Sequence, residues 1–121
     1  MPVRTVMVVD DSATDRHLLS EILASGGYTV IAVASAEEAQ QRLTHERPDA
    51  IVMDILMPGK NGFEATRELA RDEATRDIPI VVCTSRSQPT DRIWALRQGA
   101  REVLVKPVQR EALLQAIAGL G

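Results

Sequence analysis

Aromatic residues are nearly missing from this sequence. Tyr28, Phe63 and Trp94 are the only three in 121 positions. Almost nothing is left to sandwich a flavin ring, and the core must be built from Ala, Val, Ile and Leu. Cysteine occurs once, as Cys83 inside an apolar run, so no internal disulfide can form. That fits a reducing compartment. No apolar stretch approaches membrane-spanning length. The N-terminus lacks the charged start, apolar run and small-residue cleavage site of a signal peptide. The formal net charge of −3 is too mild to argue for nucleic-acid or membrane binding. Internal repeats, low-complexity segments and linkers are missing too. These absences lead us to expect one soluble, cytoplasmic domain over residues 1–121, with no output domain behind it.

What is present is a regular alternation. Apolar residues make up 45% of the chain, enough for a core. "VRTVMVV" is a short β-branched run that ends on Asp10-Asp11. "SATDRHLLSEILASGG" pairs Leu18 with Ile22 and Leu19 with Leu23 at helical spacing, and stops at Gly26-Gly27. "YTVIAVA" reads as a second strand. "SAEEAQQRLTHERP" opens with Ser35 and Glu38 at capping-box spacing and reads as a helix up to Pro48. Ala50–Met53 is a third strand, "GFEATRELARDEA" a helix, "IPIVVCT" a fourth strand and "PTDRIWALRQGA" a helix from Pro89 to Gly99. "EVLV" and "QREALLQAIAGL" complete the series. The strands are continuous apolar runs, which implies burial on both faces. The expected fold is therefore α/β: a doubly wound, five-stranded parallel sheet with five helices on both faces. We assign the order 2-1-3-4-5, the flavodoxin-like arrangement, whose ligands sit beyond the carboxyl ends of the strands.

Those ends carry the chemistry. Strand one runs into Asp10-Asp11 and strand three into Asp54. Strand four ends in Thr84-Ser85 and strand five in Lys106-Pro107. A carboxylate at the end of a buried strand is costly without a partner. Three of them together repel unless a cation shares them. Hard oxygen ligands of this kind suit Mg²⁺, which keeps several waters and is often completed by phosphate. Thr84 can donate to an anionic oxygen and Lys106 can neutralise it. Only two of the 14 basic residues are lysines, and one of them stands here. A compact ammonium suits a single phosphoryl oxygen. A carboxylate can serve as the nucleophile, giving an acyl phosphate.

Taken in order, "VVDDS", "VMDILMPGKNG", "VVCTS" and "GAREVLVKPV" resemble the motifs of response-regulator receiver domains over nearly the whole chain. The resemblance implies that Asp54 accepts a phosphoryl group from a sensor histidine kinase. It implies that Asp11, Asp54 and the Leu56 backbone carbonyl ligate Mg²⁺, with Asp10 helping through water. Thr84 would bond the phosphoryl group, Lys106 would pair with it, and the Lys106–Pro107 bond would be cis. "WALRQGA" after "PTDR" looks like single-domain, chemotaxis-type receivers of the type IV pilus twitching-motility (Pil-Chp) systems. Such a domain signals by protein contact or drains phosphate from a shared kinase. It catalyses only its own phosphorylation and dephosphorylation.

Receivers usually carry a switch aromatic three residues before the lysine. Here that place is Val103, with no ring to swing. In receivers the side chains two after the acceptor and two after the switch threonine border the hydrolytic water; the resemblance puts Leu56 and Arg86 there, neither of which can act as a base. A long-lived phosphoryl group is the expectation. The basic stretch from Arg86 to Arg110, with Arg92, Arg97, Arg101 and Trp94, offers a face for an acidic partner. An aspartyl-phosphate phosphatase or phosphotransferase is the alternative on a fold of this type, but the chain leaves no room for a substrate-gating cap. A flavin carrier is opposed by the acidic turn "DDSATD". A receiver fold that signals without phosphate ranks low, because all five functional positions are filled.

Overall fold

The computed structural model describes residues 2–85 and 88–120. Its elements run β1 (Thr5–Val9), α1 (Ala13–Ser25), β2 (Thr29–Val33), α2 (Ala36–Arg42), β3 (Ala50–Met53), α3 (Gly62–Arg71), β4 (Ile80–Thr84), α4 (Pro89–Gln98), β5 (Glu102–Val105) and α5 (Arg110–Ala118). The strands form one parallel sheet in the order β2-β1-β3-β4-β5, as expected.

Strand periodicity divides the core in two. Side chains alternate faces along a strand. Met7, Val9, Ile51, Met53, Ile80 and Val82 therefore point one way, against Ala36, Ala39, Ala65, Leu69 and Ala95 of α2, α3 and α4. Val6, Val8, Val52, Val81 and Cys83 point the other way, against Leu19, Ile22 and Leu23 of α1 and Leu113 and Ile117 of α5. Each fully buried Leu or Ile contributes about 1.5–3 kcal/mol relative to exposure. Burial on both faces holds for β1, β3 and β4 but not for the edges. β2 and β5 keep exposed positions, Val105 among them, since each has a neighbour on one side only.

Helix starts follow local chemistry. Ser12, Ser35 and Asn61 are N-caps whose side-chain oxygens accept from the backbone N–H of Asp15, Glu38 and Glu64. The stops are less regular. The pattern after Ser35 reads as helical up to Pro48, but α2 closes at Arg42. There the N–H groups of Thr44 and His45 donate three residues back, to Gln41 and Arg42, and tighten the chain into a turn. His45 thus lies on a turn rather than a helix. α3 also ends early, at Arg71, because Asp72 is extended and its carboxylate accepts from the N–H of Ala74. α4 ends as read, on Gly99 in the left-handed region at φ 117°.

Candidate functional site

Register brings the acidic residues together. Val9 of β1 lies beside Met53 of β3, so the next residues, Asp10 and Asp54, leave the sheet side by side. The Asp54 N–H donates to the Val9 carbonyl at 2.9 Å. Thr84 pairs with Val105, and the Lys106 N–H donates to the Thr84 carbonyl at 2.8 Å. The carboxyl ends of β1, β3, β4 and β5 thus carry Asp10, Asp54, Thr84 and Lys106 to one edge. The Lys106–Pro107 peptide is cis, as the resemblance implies.

One oxygen from each of Asp10, Asp11 and Asp54 falls within 4.8 Å of the others. Asp10 is fully buried, Asp54 is 5% exposed and Asp11 faces solvent. The Lys106 ammonium donates to Asp10 at 2.8 Å and to Asp15 at 2.9 Å, and stands 3.7 Å from Asp54 Oδ1. The other Asp10 oxygen accepts from the Ser12 N–H at 3.0 Å. Among the described residues, the one hydrogen bond to Asp54 Oδ1 is a long one, 3.4 Å, from the Leu56 N–H. Asp54 is therefore less satisfied than Asp10, the other buried acid of this cluster. Burial and the Asp10 charge push its carboxyl up to about 6, against the pull of Lys106 and the Leu56 N–H. Burial alone would lower the Lys106 ammonium, but bonds to Asp10 and Asp15 and the Asp54 charge raise it. It remains a cation throughout the physiological range.

The donor set fits a hard divalent ion. Three carboxylates converge, one of them is solvent-facing, and burial with the Asp10 charge disfavours the ionised form of Asp54, which further positive charge would offset. The loop after Asp54 is shaped for close approach. A Cβ on Gly62 would lie 2.1 Å from the Asp54 carbonyl oxygen, so only glycine lets α3 begin there. Gly59 sits at φ 76° in the same loop. Leu56 is 48% exposed, two residues after Asp54. Arg86, its counterpart in the lifetime argument, lies outside the described residues. Thr84 and Val103 are buried. Cys83 lies in the core below, where burial pushes its thiol up to about 12 and leaves it unreactive.

Sequence reasoning missed Asp15. It reads as an acid in the first turn of a helix, a common and bland arrangement. Only the fold brings it to Lys106. Away from this edge, Trp94 is half-exposed on α4, with Arg97 and Arg101 exposed nearby. Arg92, also exposed, donates to the Val103 carbonyl at 3.3 Å.

The family model "Response regulator receiver domain" matches residues 6–118. Protein PilH of Pseudomonas aeruginosa is 42% identical over 93% of each chain. Several longer curated relatives match at 32–38% identity, and the chain spans about half of their length. Among solved structures, a putative response regulator from Chloroflexus aurantiacus superposes with a TM-score of 0.92 at 30% identity, covering 99% of this chain and 98% of that one. The Vibrio cholerae chemotaxis protein CheY4 gives 0.91, also at 30% identity, covering 98% and 99%.

Proposed function

The chain belongs to the response regulator receiver domain family, and from that premise we propose that Asp54 is its phosphoryl acceptor. The observation that carries this reading is the state of Asp54: buried at the end of β3, poorly hydrogen-bonded, and beside a lysine and two further acids. An Asp54 oxygen attacks the phosphorus of a kinase phosphohistidine. The P–N bond breaks, the imidazole keeps the electron pair and takes a proton from solvent, and an acyl phosphate remains on the aspartate. Lys106 offsets the charge on the transferred group, and the Thr84 hydroxyl donates to it. Asp11, Asp54 and the Leu56 carbonyl, with Asp10 behind them, would hold Mg²⁺, which when bound screens the incoming phosphate from the carboxylates. No external product is turned over. The test is labelling by a phosphorylated kinase or a small phosphodonor. Label should appear with Mg²⁺ and be lost in excess chelator or in Asp11→Ala. Efficient labelling in chelator would contradict the proposal.

The partners follow from the same reading. A sensor histidine kinase supplies the phosphoryl group, and the 42% identity to PilH supports a Pil-Chp twitching-motility setting. For output we place an acidic protein on the α4, β5 and α5 side, contacting Arg92, Arg97 and Arg101, with Trp94, which the structure turns toward α3, at its margin; neither nucleic acid nor membrane is involved. No helix among the described residues is long and apolar enough to cross a membrane. Charge-driven docking weakens with salt. Trp94→Ala combined with Arg97→Glu is expected to weaken partner binding at least tenfold, in the range of a buried aromatic anchor. Unchanged binding in a titration of the double variant would remove this face from consideration.

A further inference from the structure

One inference rests on the phosphoacceptor reading and goes beyond it. It concerns Asp15. A lysine ammonium has three N–H donors. In Lys106 one is committed to Asp10 at 2.8 Å and another to Asp15 at 2.9 Å. The nearest Asp54 oxygen, at 3.7 Å, is beyond hydrogen-bond reach. The two bonded acids differ in setting. Asp10 has a side-chain exposure of 0% and Asp15 of 41%. Asp15 stands on the first turn of α1, where the Ser12 hydroxyl accepts from its backbone N–H. It lines a small surface cavity with Leu18, Lys106, Pro107 and Val108. Asp10 therefore holds the ammonium from below while Asp15 holds it at the solvent rim.

We propose that Asp15 is a positioning residue that keeps the Lys106 ammonium at the rim, away from Asp54, in the unphosphorylated protein. A phosphoryl group on Asp54 must then draw the ammonium inward against this bond. Asp15 touches no reacting atom and acts only through Lys106. Its carboxylate favours the resting arrangement, and its removal favours the arrangement in which Lys106 engages the acceptor.

The test uses Asp15→Asn and Asp15→Glu, with beryllofluoride as the phosphoryl mimic in the presence of Mg²⁺. Fluorine NMR gives the affinity, and a crystal structure of unliganded Asp15→Asn gives the lysine position. The Asn variant should bind about threefold more tightly, the scale of a part-exposed ion pair. The Glu variant, which keeps a carboxylate, should return toward the unmodified protein. In the crystal, Lys106 Nζ should come within about 3.2 Å of an Asp54 oxygen. Unchanged or weaker binding by the Asn variant would overturn the proposal. So would tighter binding with Nζ unmoved, because Asp15 would then act on the anion through space. If the unmodified protein failed to bind beryllofluoride at all, the phosphoacceptor reading would fall instead. The crystallographic distance would still decide the role of Asp15.

Discussion

Asp54→Asn should lose all phosphoryl labelling and, in metal-free buffer at pH 7, fold more stably than the unmodified protein. The second half follows from linkage. The folded state raises the Asp54 carboxyl to about 6, above the ordinary value of about 3.9 that it regains on unfolding. Between these values the folded protein binds more protons than the unfolded chain. Stability therefore falls as pH rises through this window and stays reduced above it. A shift of this size corresponds to an upper bound of about 3 kcal/mol at neutral pH. The residue is only 5% exposed, so little solvent screening intervenes. Asparagine keeps the shape and an acceptor for the Leu56 N–H but carries no charge. Its expected gain is about 1–3 kcal/mol at pH 7, shrinking as pH drops toward 4. Urea melts of both proteins across pH 4–8 in chelator measure it. A variant less stable at pH 7, or a difference that does not change with pH, would refute the burial argument.

Lys106→Met should produce a loss of similar size in the opposite direction. Lys106 is the cation of fully buried Asp10, with a side chain itself only 14% exposed. Methionine has a comparable stem and no charge, so the packing is largely kept. Two buried acids and Asp11 then face one another without the Lys106 charge, and the Arg16 guanidinium, 2.8 Å from the Asp10 backbone carbonyl, offsets them only in part. Removing one partner of a buried pair costs about 3–5 kcal/mol. The Ser12 N–H still serves Asp10, which places the expected loss near about 3 kcal/mol. Mg²⁺ binds the folded carboxylates and not the dispersed ones, so it should return much of that stability by mass action. The variant should respond to Mg²⁺ more strongly than the unmodified protein, in which Lys106 competes for the same oxygens. Denaturation with chelator and with saturating Mg²⁺ separates the two effects. A loss under about 1 kcal/mol, or no recovery with Mg²⁺, would show that Lys106 does not neutralise this site.

Much of the site was legible because its residues terminate short apolar runs. Asp10, Asp54 and Lys106 each follow a largely apolar strand and Thr84 ends one, and a parallel sheet puts all such ends on one edge. Chain alternation and crossover handedness left only a few strand orders, and the flavodoxin-like one assigned among them is the one observed. What was not legible depends on distances across the fold. Asp15 and Lys106 are 91 positions apart and meet only because α1 and β5 both abut the central strands. The need for glycine at position 62 shows only where α3 starts against the Asp54 carbonyl. The exposure of β2 could not be read from "YTVIAVA", since an edge and a central strand share that composition. The early stops of α2 and α3 reflect local bonds to Gln41, Arg42 and the Asp72 carboxylate, which outcompete helical propensity.

The most direct test of the account is chemical capture of the acyl phosphate. The protein is labelled by a phosphodonor with Mg²⁺, reduced with borohydride, digested and sequenced by mass spectrometry. Reduction of an aspartyl phosphate leaves homoserine at the modified position. The account predicts homoserine at Asp54, in the peptide containing Ile55 and Leu56, and none in a chelator control. Homoserine at Asp10 or Asp11 instead, or phosphate retained on a serine, threonine or histidine with Asp54 untouched, would contradict it.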